Sequence, residues 1–392
     1  MTENTHIAMA LDYPLTLRGG VSVIVESLLK YLSPGYDVLL ISPDDPTELQ
    51  KHPCSQRISG HIRFDPATLT HAVASNLSET IRRRGVALVH FHAGGNLEWG
   101  TRSGWKSPLP FLARAGIPCV FSAHQVTTLL EGYCAKTRPL WHKLAMLPAV
   151  WLAATYALRH ASNILTDSKH DADQLKRNYP LLARKIGFVY HSRLDVAEPT
   201  PSPKIKREPT ILSVGHIAFR KGQHILAEAF SKIAPQYPEW KLVIAGPALE
   251  PACAEKIEQI SAVSGLRGRI QMIGSHPAPQ ELMRRAAIFV QPSLMEAFGL
   301  ALQEAMFFGC ACVGSNVGGI PELITHNRTG MLFPAGRTDS LSGILVELIS
   351  QPERRRQLAE QAHANIVACG MTGQAMAANY DNIYRDILKH RE

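Results

Sequence analysis

The sequence has few of the features that mark disulfide-bonded, secreted or membrane-spanning proteins. Its seven cysteines form no CxxC pair and are odd in number, which argues against a disulfide framework or a zinc site. No basic cluster precedes the first apolar run, so the N-terminus is predicted to form a strand rather than a signal peptide. The longest apolar stretch, 144–158, contains Pro148 and is shorter than the ~20 residues that a membrane span needs. We therefore expect a protein of the reducing cytoplasm without a spanning helix.

Composition excludes disorder and gives no support for nucleic-acid binding. Hydrophobic residues make up 45% of the chain and charged residues 19%, which is ordinary globular usage. The net charge of +8 is uneven, with 21 basic and 15 acidic residues up to Asp195 and 20 and 18 after it. Such a surface attracts acidic lipid or a phosphorylated acceptor, or is simply solvated. Aromatic and basic residues do not interleave, so no nucleic-acid partner is expected.

Length and rhythm predict two α/β domains. At 392 residues the chain exceeds the roughly 250 to 300 residues over which one core keeps growing. Short apolar runs alternate with helical patterns, which is typical of parallel sheets with crossover helices. The predicted strands are 7–13, 37–42, 86–92, 118–124, 163–168 and 186–191, then 210–215, 241–246, 269–274, 286–291, 310–315 and 330–334.

The two sets of strands are separated by a proline-rich segment, 196–209, which is predicted to be the linker. The domains are then 1–195 and 210–373. A final helix, 374–392, carries an apolar stripe at helical spacing and should pack back onto the first domain. The stripe consists of Met376, Tyr380, Ile383, Tyr384, Ile387 and Leu388.

The strongest chemical signal is a pair of glutamates around a predicted helix start. Glu296 follows the strand 286–291, and Glu304 lies on an otherwise apolar helix, where an unpaired carboxylate would be costly to bury. Amides around Phe298, Gly299 and Leu300 would form an anion site, because a helix N-terminus favours phosphate. The simpler interpretation is one surface glutamate and one capping glutamate, but the strand-helix setting favours a donor site.

This segment resembles the retaining glycosyltransferases of family 4, an E-x7-E type with the GT-B fold. The likeness is carried by the two glutamates, by the Phe-Gly that follows the first of them, by Glu-Ala-Met at 304–306 and by Gly-Gly-Ile-Pro-Glu at 318–322. It implies two doubly wound, Rossmann-like domains facing a cleft, with the last helix crossing back to the N-terminal domain. It also implies that Glu296 approaches the donor sugar and that Glu304 binds the ribose hydroxyls.

A second signal follows the first strand of the C-terminal half. Gly215 ends the strand, and Arg220 and Lys221 come soon after it, where two cations could neutralise a diphosphate leaving group. The alternative is ordinary surface charge. Similar enzymes use an Arg or Lys pair here, but they usually carry Arg where this chain has His216.

Two signals lie in the N-terminal half. Gly19 and Gly20 follow the first strand; a paired glycine is often a simple turn, but the resemblance places the donor phosphate and acceptor here. His124 ends the strand 118–124 and could hydrogen-bond a sugar hydroxyl, although alone it would be structural. Similar enzymes have Asp or Gly after this histidine, where this chain has Gln125.

Two further patterns suggest metal binding, and neither is favoured. His90 and His92 share a strand face, but no third ligand is evident, which favours packing or acceptor contact. Asp171 and Asp173 form a DxD, which is better explained as the start of a helix capped by Ser168. We therefore expect no metal site and no cofactor.

The resemblance implies an enzyme that moves a hexose-type sugar, with retention, from a nucleotide diphosphate sugar of UDP or GDP type. The acceptor would be a glycan, a lipid-linked sugar or a small molecule of bacterial glycoconjugate synthesis. Trp141, Lys143, Trp151 and Arg159 suggest a helix that touches anionic membrane on the inner face of the plasma membrane, although a buried helix explains them equally well. The rival functions are a sugar-nucleotide epimerase or hydrolase and a binding protein with weakened catalysis.

Overall fold

The chain divides into two units of dense internal contact. The computed structural model describes residues 4–17, 19–95, 97–129, 139–195, 197 and 207–389. Unit 1 is Met1–Arg193 together with Gly373–Glu392, and unit 2 is Leu194–Thr372. Arg18 and most of the predicted linker 196–209 lie outside the described residues.

Each unit is built on one parallel sheet, as the alternating pattern predicts. Unit 1 contains β1 Thr5–Leu11, β2 Tyr36–Ser42, β3 Ile58–Arg63, β4 Leu88–Ala93, β5 Cys119–Ala123, β6 Asn163–Thr166 and β7 Ile186–Phe188. Unit 2 contains β8 Glu208–Val214, β9 Lys241–Ala245, β10 Ile270–Met272, β11 Ala286–Gln291, β12 Ala311–Ser315 and β13 Met331–Phe333. The sequence patterns did not predict β3, whose residues are only partly buried.

Helices connect the strands in both units. In unit 1 they are α1 Gly20–Tyr31, α2 Pro46–Lys51, α3 His71–Arg83, α4 Leu109–Arg114, α5 Leu140–Leu158, α6 Lys169–Asn178 and, at the end of the chain, α14 Gly373–Lys389. In unit 2 they are α7 Gln223–Ile233, α8 Pro251–Val263, α9 Pro279–Arg285, α10 Leu300–Phe307, α11 Ile320–Leu323, α12 Thr338–Ser350 and α13 Pro352–Ala368. Among the described residues, no helix combines the length and apolar character that crossing a bilayer requires.

The strand order of each sheet indicates where along it a ligand is expected to bind. It is β3-β2-β1-β4-β5-β6-β7 in unit 1 and β10-β9-β8-β11-β12-β13 in unit 2. The order reverses between β1 and β4 in the first sheet and between β8 and β11 in the second. Ligands of open parallel sheets bind beyond the carboxyl ends of the strands at such a reversal. The segments that follow β8 and β11 carry Lys221 and Glu296, so both predicted motifs of unit 2 lie at its reversal.

The last helix, α14, packs onto unit 1, as the apolar stripe predicts. Met376, Tyr380 and Tyr384 are buried, whereas the other members of the stripe are only partly so. The close approach to α1 depends on Gly373, where a Cβ atom would lie 2.6 Å from the Tyr31 ring. The Tyr384 hydroxyl lies 2.6 Å from His90 Nδ1 of β4, and the Tyr380 hydroxyl lies 2.8 Å from His191 Nε2.

Candidate functional site

Two glycines bring the two predicted motifs of unit 2 together. Gly222 has a φ of +70°, and a Cβ there would lie 1.9 Å from the carbonyl oxygen of Pro292. On the other side, a Cβ on Gly318 would lie 1.7 Å from the carbonyl oxygen of Glu296. The carbonyl oxygen of Arg220 also accepts a hydrogen bond of 2.8 Å from the amide of Leu294. The segment after β11 is therefore held between the turn after β8 and the Gly-Gly segment after β12.

Both oxygens of the Glu296 carboxylate have protein partners in this arrangement. Lys221 Nζ lies 3.0 Å from Oε1 and 2.8 Å from Oε2. Gln291 and Ser293, at the end of β11, donate to Oε2 at 2.9 and 2.8 Å. The Lys221 and Glu296 side chains are only 16% and 11% exposed. The two residues that sequence reasoning assigned to sugar and diphosphate thus form a buried ion pair with each other.

The ion pair fixes the charge of Glu296. Burial alone would raise the pKa of this carboxyl group, but the charge and hydrogen bonds of Lys221 and the Ser293 hydroxyl together lower it below the ordinary value. Glu296 is therefore ionised at neutral pH. An ionised carboxylate with an adjacent ammonium can orient a sugar hydroxyl but is a poor proton donor.

Arg220 differs from its neighbour. Among the residues that the structure describes, none forms a hydrogen bond or ion pair with its half-buried guanidinium group. Its donors thus remain available for an anion beside the end of β8, where Gly215 has a φ of +148°. Burial, and then the charges of Lys221 and Arg220, lower the pKa of His216, so this side chain is neutral and does not replace the arginine found in similar enzymes.

Helix α10 begins a few residues after Glu296. Gly299, at a φ of +104°, turns the chain into α10, and this conformation is one that L-residues rarely adopt. Leu300 begins the helix and Phe298 is buried beneath it. Glu304 lies one turn into the helix and is buried. Its assignment to the ribose stays a prediction.

In unit 1, His124 lies in a group of polar side chains at the carboxyl ends of β4 to β6. It is buried, and both ring nitrogens have protein partners: Nδ1 is 3.1 Å from Asp167 Oδ1, and Nε2 is 3.0 Å from His92 Nδ1. His191 Nδ1 lies 3.2 Å from the same Asp167 oxygen. The position of Asp167, four residues before Asp171, gave no motif that would have identified it from the sequence.

The glycines of the first loop are placed at the start of α1. Gly19 precedes the helix, its amide donates to Ser22 Oγ at 2.8 Å, and a Cβ there would lie 2.7 Å from Tyr13 Oη. Gly20 has open space around it. The same edge holds Asp12, which sequence reasoning missed. One of its oxygens accepts from the Gly94 amide at 2.6 Å, and the other is buried and has no partner among the described residues.

The two sequence patterns that suggested metal binding, the DxD at 171–173 and the histidine pair of β4, have different structural surroundings. Ser168 caps α6 by accepting from the Asp171 amide, as predicted, and the Asp171 carboxylate accepts from the Val126 amide. The rings of His90 and His92 are fully buried and lie 3.9 Å apart between centroids, with their planes tilted by 39°. Within the described parts of the chain, the group whose spacing could accommodate a metal ion is instead His124, Asp167 and His191, whose ligand atoms lie within 4.8 Å of one another.

Two family models match the chain, one for each unit. Residues 18–192 match the model of "Glycosyltransferase Family 4", and residues 197–365 match that of "Glycosyl transferases group 1". Between them the two matches leave only the ends of the chain and a few residues near the unit boundary. The second match contains both glutamates and the Arg220–Lys221 pair.

Characterised relatives align over nearly the whole chain. N-acetyl-alpha-D-glucosaminyl L-malate synthase of Bacillus anthracis is 24% identical over 382 residues, covering 95% of this chain and 95% of the relative. Alpha-maltose-1-phosphate synthase of Mycolicibacterium smegmatis is 28% identical over 376 residues, covering 89% and 91%.

Solved structures share the fold. A glycosyltransferase from Rickettsia africae superposes with a TM-score of 0.76 at 19% identity, covering 98% of this chain and 99% of that chain. Anabaena HepE in complex with UDP-glucose superposes with a TM-score of 0.74 at 18% identity, covering 97% and 99%. With both units matched by family models and the GT-B architecture shared, the chain belongs to glycosyltransferase family 4.

Proposed function

We propose that the protein transfers a hexose-type sugar, with retention of anomeric configuration, from a nucleotide diphosphate sugar bound by unit 2. The observation that carries this proposal is the buried Lys221–Glu296 pair at the reversal of strand order, next to Arg220, whose guanidinium has no hydrogen-bond or ion-pair partner among the described residues. Such a site offers fixed positive charge for a diphosphate and an ionised carboxylate for a sugar. The expected acceptor is a glycan, a lipid-linked sugar or a small molecule of bacterial glycoconjugate synthesis.

Each of the four charged site residues of unit 2 has a defined role in this proposal. Arg220 binds the diphosphate, helped by the N-terminus of α10, whose dipole favours anions. Lys221 holds Glu296 ionised and lends charge to the same region. Glu304 accepts hydrogen bonds from the ribose, and Glu296 from a hydroxyl of the transferred sugar. Transition-state stabilisation then comes from positioning and fixed charge rather than from a protein base.

Donor binding is tested first by thermal shift with UDP, GDP and ADP, because a ligand that binds the folded state raises its melting temperature. UDP is the leading candidate, since Anabaena HepE is described with UDP and UDP-glucose. Glu304→Ala should abolish most of the shift, because its carboxylate contacts a part of the donor that does not react. Glu296→Ala should keep the shift and lose turnover. Equal shifts and equal turnover in both variants would refute the site.

Retention is testable without knowing the acceptor. Slow transfer to water releases free sugar, and proton NMR in the first minutes distinguishes the anomer formed by the enzyme from its later mutarotation product. With an α-linked donor, the α-anomer is expected first. Initial release of the β-anomer would contradict retention.

We also propose that turnover needs no divalent metal. Arg220 supplies one fixed positive charge, Lys221 a second one that it shares with Glu296, and the N-terminus of α10 adds its dipole, so a diphosphate has cationic partners without a metal ion. Turnover should therefore persist in excess EDTA. Loss of activity in EDTA, with recovery on adding Mg²⁺ or Mn²⁺, would contradict this proposal.

A peripheral contact with anionic membrane is proposed for α5. The exposed apolar side chains of this helix are Leu140, Trp141, Leu144, Met146 and Leu152. Trp151 is not part of this surface, because its indole nitrogen donates to the carbonyl oxygen of Asn178. A basic unit with an exposed apolar helix face suits an acidic bilayer.

The membrane proposal is tested by flotation with phosphatidylglycerol vesicles and with phosphatidylcholine vesicles. Trp141→Ala with Leu144→Ala should reduce binding to the anionic vesicles at least about tenfold, given the apolar area lost. Leu181→Ala is the matched control, since Leu181 is 75% exposed elsewhere on unit 1. Equal flotation of all three proteins would locate the contact elsewhere or exclude it.

A further inference from the structure

Three basic side chains lie close together at the end of β8 in unit 2. His216 directly follows Gly215, and Arg220 and Lys221 come a few residues later. Lys221 is paired with Glu296, whereas no described residue forms a hydrogen bond or ion pair with the guanidinium of Arg220. Within the described ranges, the imidazole of His216 likewise has no hydrogen-bond partner. The described carboxylates therefore compensate only part of the basic character of this segment.

The imidazole of His216 is accessible to a ligand. A Cβ atom added to Gly215 would have nothing within 4 Å, so open space adjoins this part of the chain. His216 is half-buried, and neither of its ring nitrogens is fully buried. Its backbone is fixed, because its carbonyl oxygen accepts a hydrogen bond of 2.9 Å from the side-chain amide of the buried Gln223. A ligand beside β8 can thus contact the ring without moving the main chain.

The surroundings of His216 keep it neutral. Burial, and then the positive charges of Lys221 and Arg220, lower the pKa of this imidazole. Two carboxylates lie on neighbouring segments, and both have partners: Glu296 pairs with Lys221, and Glu250, after β9, accepts from a backbone amide of the β8 turn at 3.1 Å. The charges that act on His216 are therefore the two cations.

A bound diphosphate would change this balance. The diphosphate of a nucleotide sugar carries two negative charges. Because Lys221 and Glu296 largely cancel each other, Arg220 is the one side chain of this group whose positive charge is uncompensated among the described residues. A negative charge at close range favours the cationic form of an imidazole and so raises its pKa. A proton on His216 would then supply the second positive charge.

We propose that His216 takes up a proton when a nucleotide diphosphate sugar binds beside Arg220, so that an imidazolium ion acts as the second cation for the diphosphate. This inference rests on the proposed function, because it takes the donor diphosphate to lie at the end of β8. The charge of Arg220 is permanent, whereas that of His216 arises with the ligand. Donor binding and protonation are therefore linked, and each strengthens the other.

Isothermal titration with UDP-glucose measures this linkage directly. Its diphosphate, unlike that of UDP, has no group that titrates near neutral pH, so any proton taken up goes to the protein. At equal pH, the binding enthalpies in PIPES and Tris differ in proportion to the number of protons transferred. The wild type should take up a fraction of one proton near pH 7. Its affinity should rise about threefold from pH 7.5 to 6.5, where uptake of one full proton would give about tenfold.

Three variants assign the proton to His216. His216→Gln keeps a polar side chain that cannot be charged, so proton uptake and the pH dependence of affinity should both disappear. His216→Arg carries a permanent charge and should bind UDP-glucose at pH 7.5 about threefold or more tighter than wild type, without proton uptake. His224→Gln is the matched control and should behave as wild type. His224 is half-buried in the same unit, and burial lowers its pKa too, but its charged neighbours are Glu228 and Lys256.

NMR spectroscopy of histidine-labelled protein gives a second readout. The signal of the His216 ring is identified by its loss in His216→Gln. Without ligand it should titrate below the ordinary imidazole range, and with saturating UDP-glucose its midpoint should lie at least about one pH unit higher. An unchanged midpoint would contradict proton uptake by this residue.

The outcomes separate the two proposals. Binding of UDP-glucose to the wild type without proton uptake would overturn the linkage and leave donor binding standing, even if every variant failed to fold. Uptake that persists in His216→Gln would place the proton on another group and would also overturn it. Proton uptake through His216 with no turnover of any donor that binds would support the linkage and remove the transferase function. Failure of UDP-, GDP- and ADP-glucose to bind would overturn both.

Discussion

The two units stabilise their buried polar groups by different means. Unit 2 pairs opposite charges, Lys221 with Glu296, and within the part of the chain that the structure describes nothing pairs with the guanidinium of the neighbouring Arg220. Unit 1 instead holds the buried Asp167 carboxylate against the imidazoles of His124 and His191, and His191 in turn contacts the phenol of Tyr380. A fixed cation suits an anionic diphosphate, whereas imidazole and phenol groups suit sugar hydroxyls. The contrast therefore agrees with a donor phosphate in unit 2 and uncharged hydroxyl groups near unit 1.

The largest expected effect follows from breaking the ion pair of unit 2. Lys221→Ala leaves Glu296 buried without a cation and removes charge from the leaving group. We expect the fall in kcat/KM to correspond to a loss of ~2.7 to 4 kcal/mol in transition-state stabilisation, as when one charge-stabilising donor is removed. The free energy of unfolding should also fall by about 3 to 5 kcal/mol, as for other broken buried pairs. Nucleoside diphosphate release and urea denaturation measure the two effects.

Lys232→Ala is the matched control for this variant. Lys232 pairs with Asp339 on the surface of unit 2, where both side chains are largely solvated. Solvated pairs contribute little to stability, so turnover and stability should both stay near wild type. Similar losses in the two variants would show that burial of the Lys221–Glu296 pair is not the source of the effect.

The second effect is the pH dependence of the free energy of unfolding, which should be stronger in unit 1 than in unit 2. Burial lowers the pKa of both His90 and His92 well below 6.5, so they stay neutral in the folded state while the unfolded chain takes up protons. Stability is therefore fully present above pH ~6.5 and decreases below it, by about 1.4 kcal/mol per histidine per pH unit. Between pH 6.5 and 5.5, where the full slope is not yet reached because the unfolded histidines are only half protonated at pH 6.5, the two histidines together should cost unit 1 roughly 2 kcal/mol.

Unit 2 should respond less over the same range. The lowered pKa of Glu296 means that its contribution is present above pH ~4.5 and is lost only as the pH falls towards its folded value. His216 and His224 are half-buried with lowered pKa values, so they add a smaller loss. Amide hydrogen exchange of β4 and β11 peptides reports each unit separately. Equal losses in both peptides would contradict the contrast between the units.

A third effect tests whether glycine positions the Glu296 segment. Gly222→Ala places a methyl group against the carbonyl oxygen of Pro292, whereas Gly265→Ala has nothing within 4 Å. Because both residues have nearly the same φ, +70° and +65°, the left-handed backbone costs each variant a similar ~1 to 2 kcal/mol. Gly222→Ala should lose about 2 kcal/mol more in urea denaturation, the usual scale of overpacking. Equal losses of stability in the two variants would show that the backbone around Pro292 moves to accommodate the added methyl group at little cost.

Among the described residues, the sequence patterns predicted twelve of the thirteen strands and missed β3. That strand carries Gly60, His61 and Arg63 and lies at the edge of its sheet, so only one neighbouring strand and a partly solvated surface constrain its residues. Edge strands need less apolar character than central ones, because they are less buried. Their composition therefore indicates a strand only weakly.

The sequence predicted the site residues of unit 2 better than those of unit 1. Glu296, Gly299 and Glu304 lie within nine residues, so a local motif reveals them. Asp167, His191 and Tyr380 are brought together by the topology of unit 1, and no spacing in the sequence expresses their proximity. The ion pair between Lys221 and Glu296 was missed for the same reason. Each motif was recognised, but their 2.8 Å contact depends on how β8 and β11 adjoin.

The smallest expected effect distinguishes Arg220 from its neighbour. With no partner among the described residues, the Arg220 guanidinium contributes little to stability, so Arg220→Ala should unfold at the same urea concentration as wild type. Its affinity for the nucleoside diphosphate should fall about tenfold, at the low end for charge-assisted hydrogen bonds because the side chain is only half-buried. Isothermal titration with UDP or GDP measures this, and raising the salt concentration should reduce the difference. Arg220→Lys should recover part of the affinity, since it restores the charge without the paired donors. A variant that binds nucleotide normally but is destabilised like Lys221→Ala would show that both cations are structural.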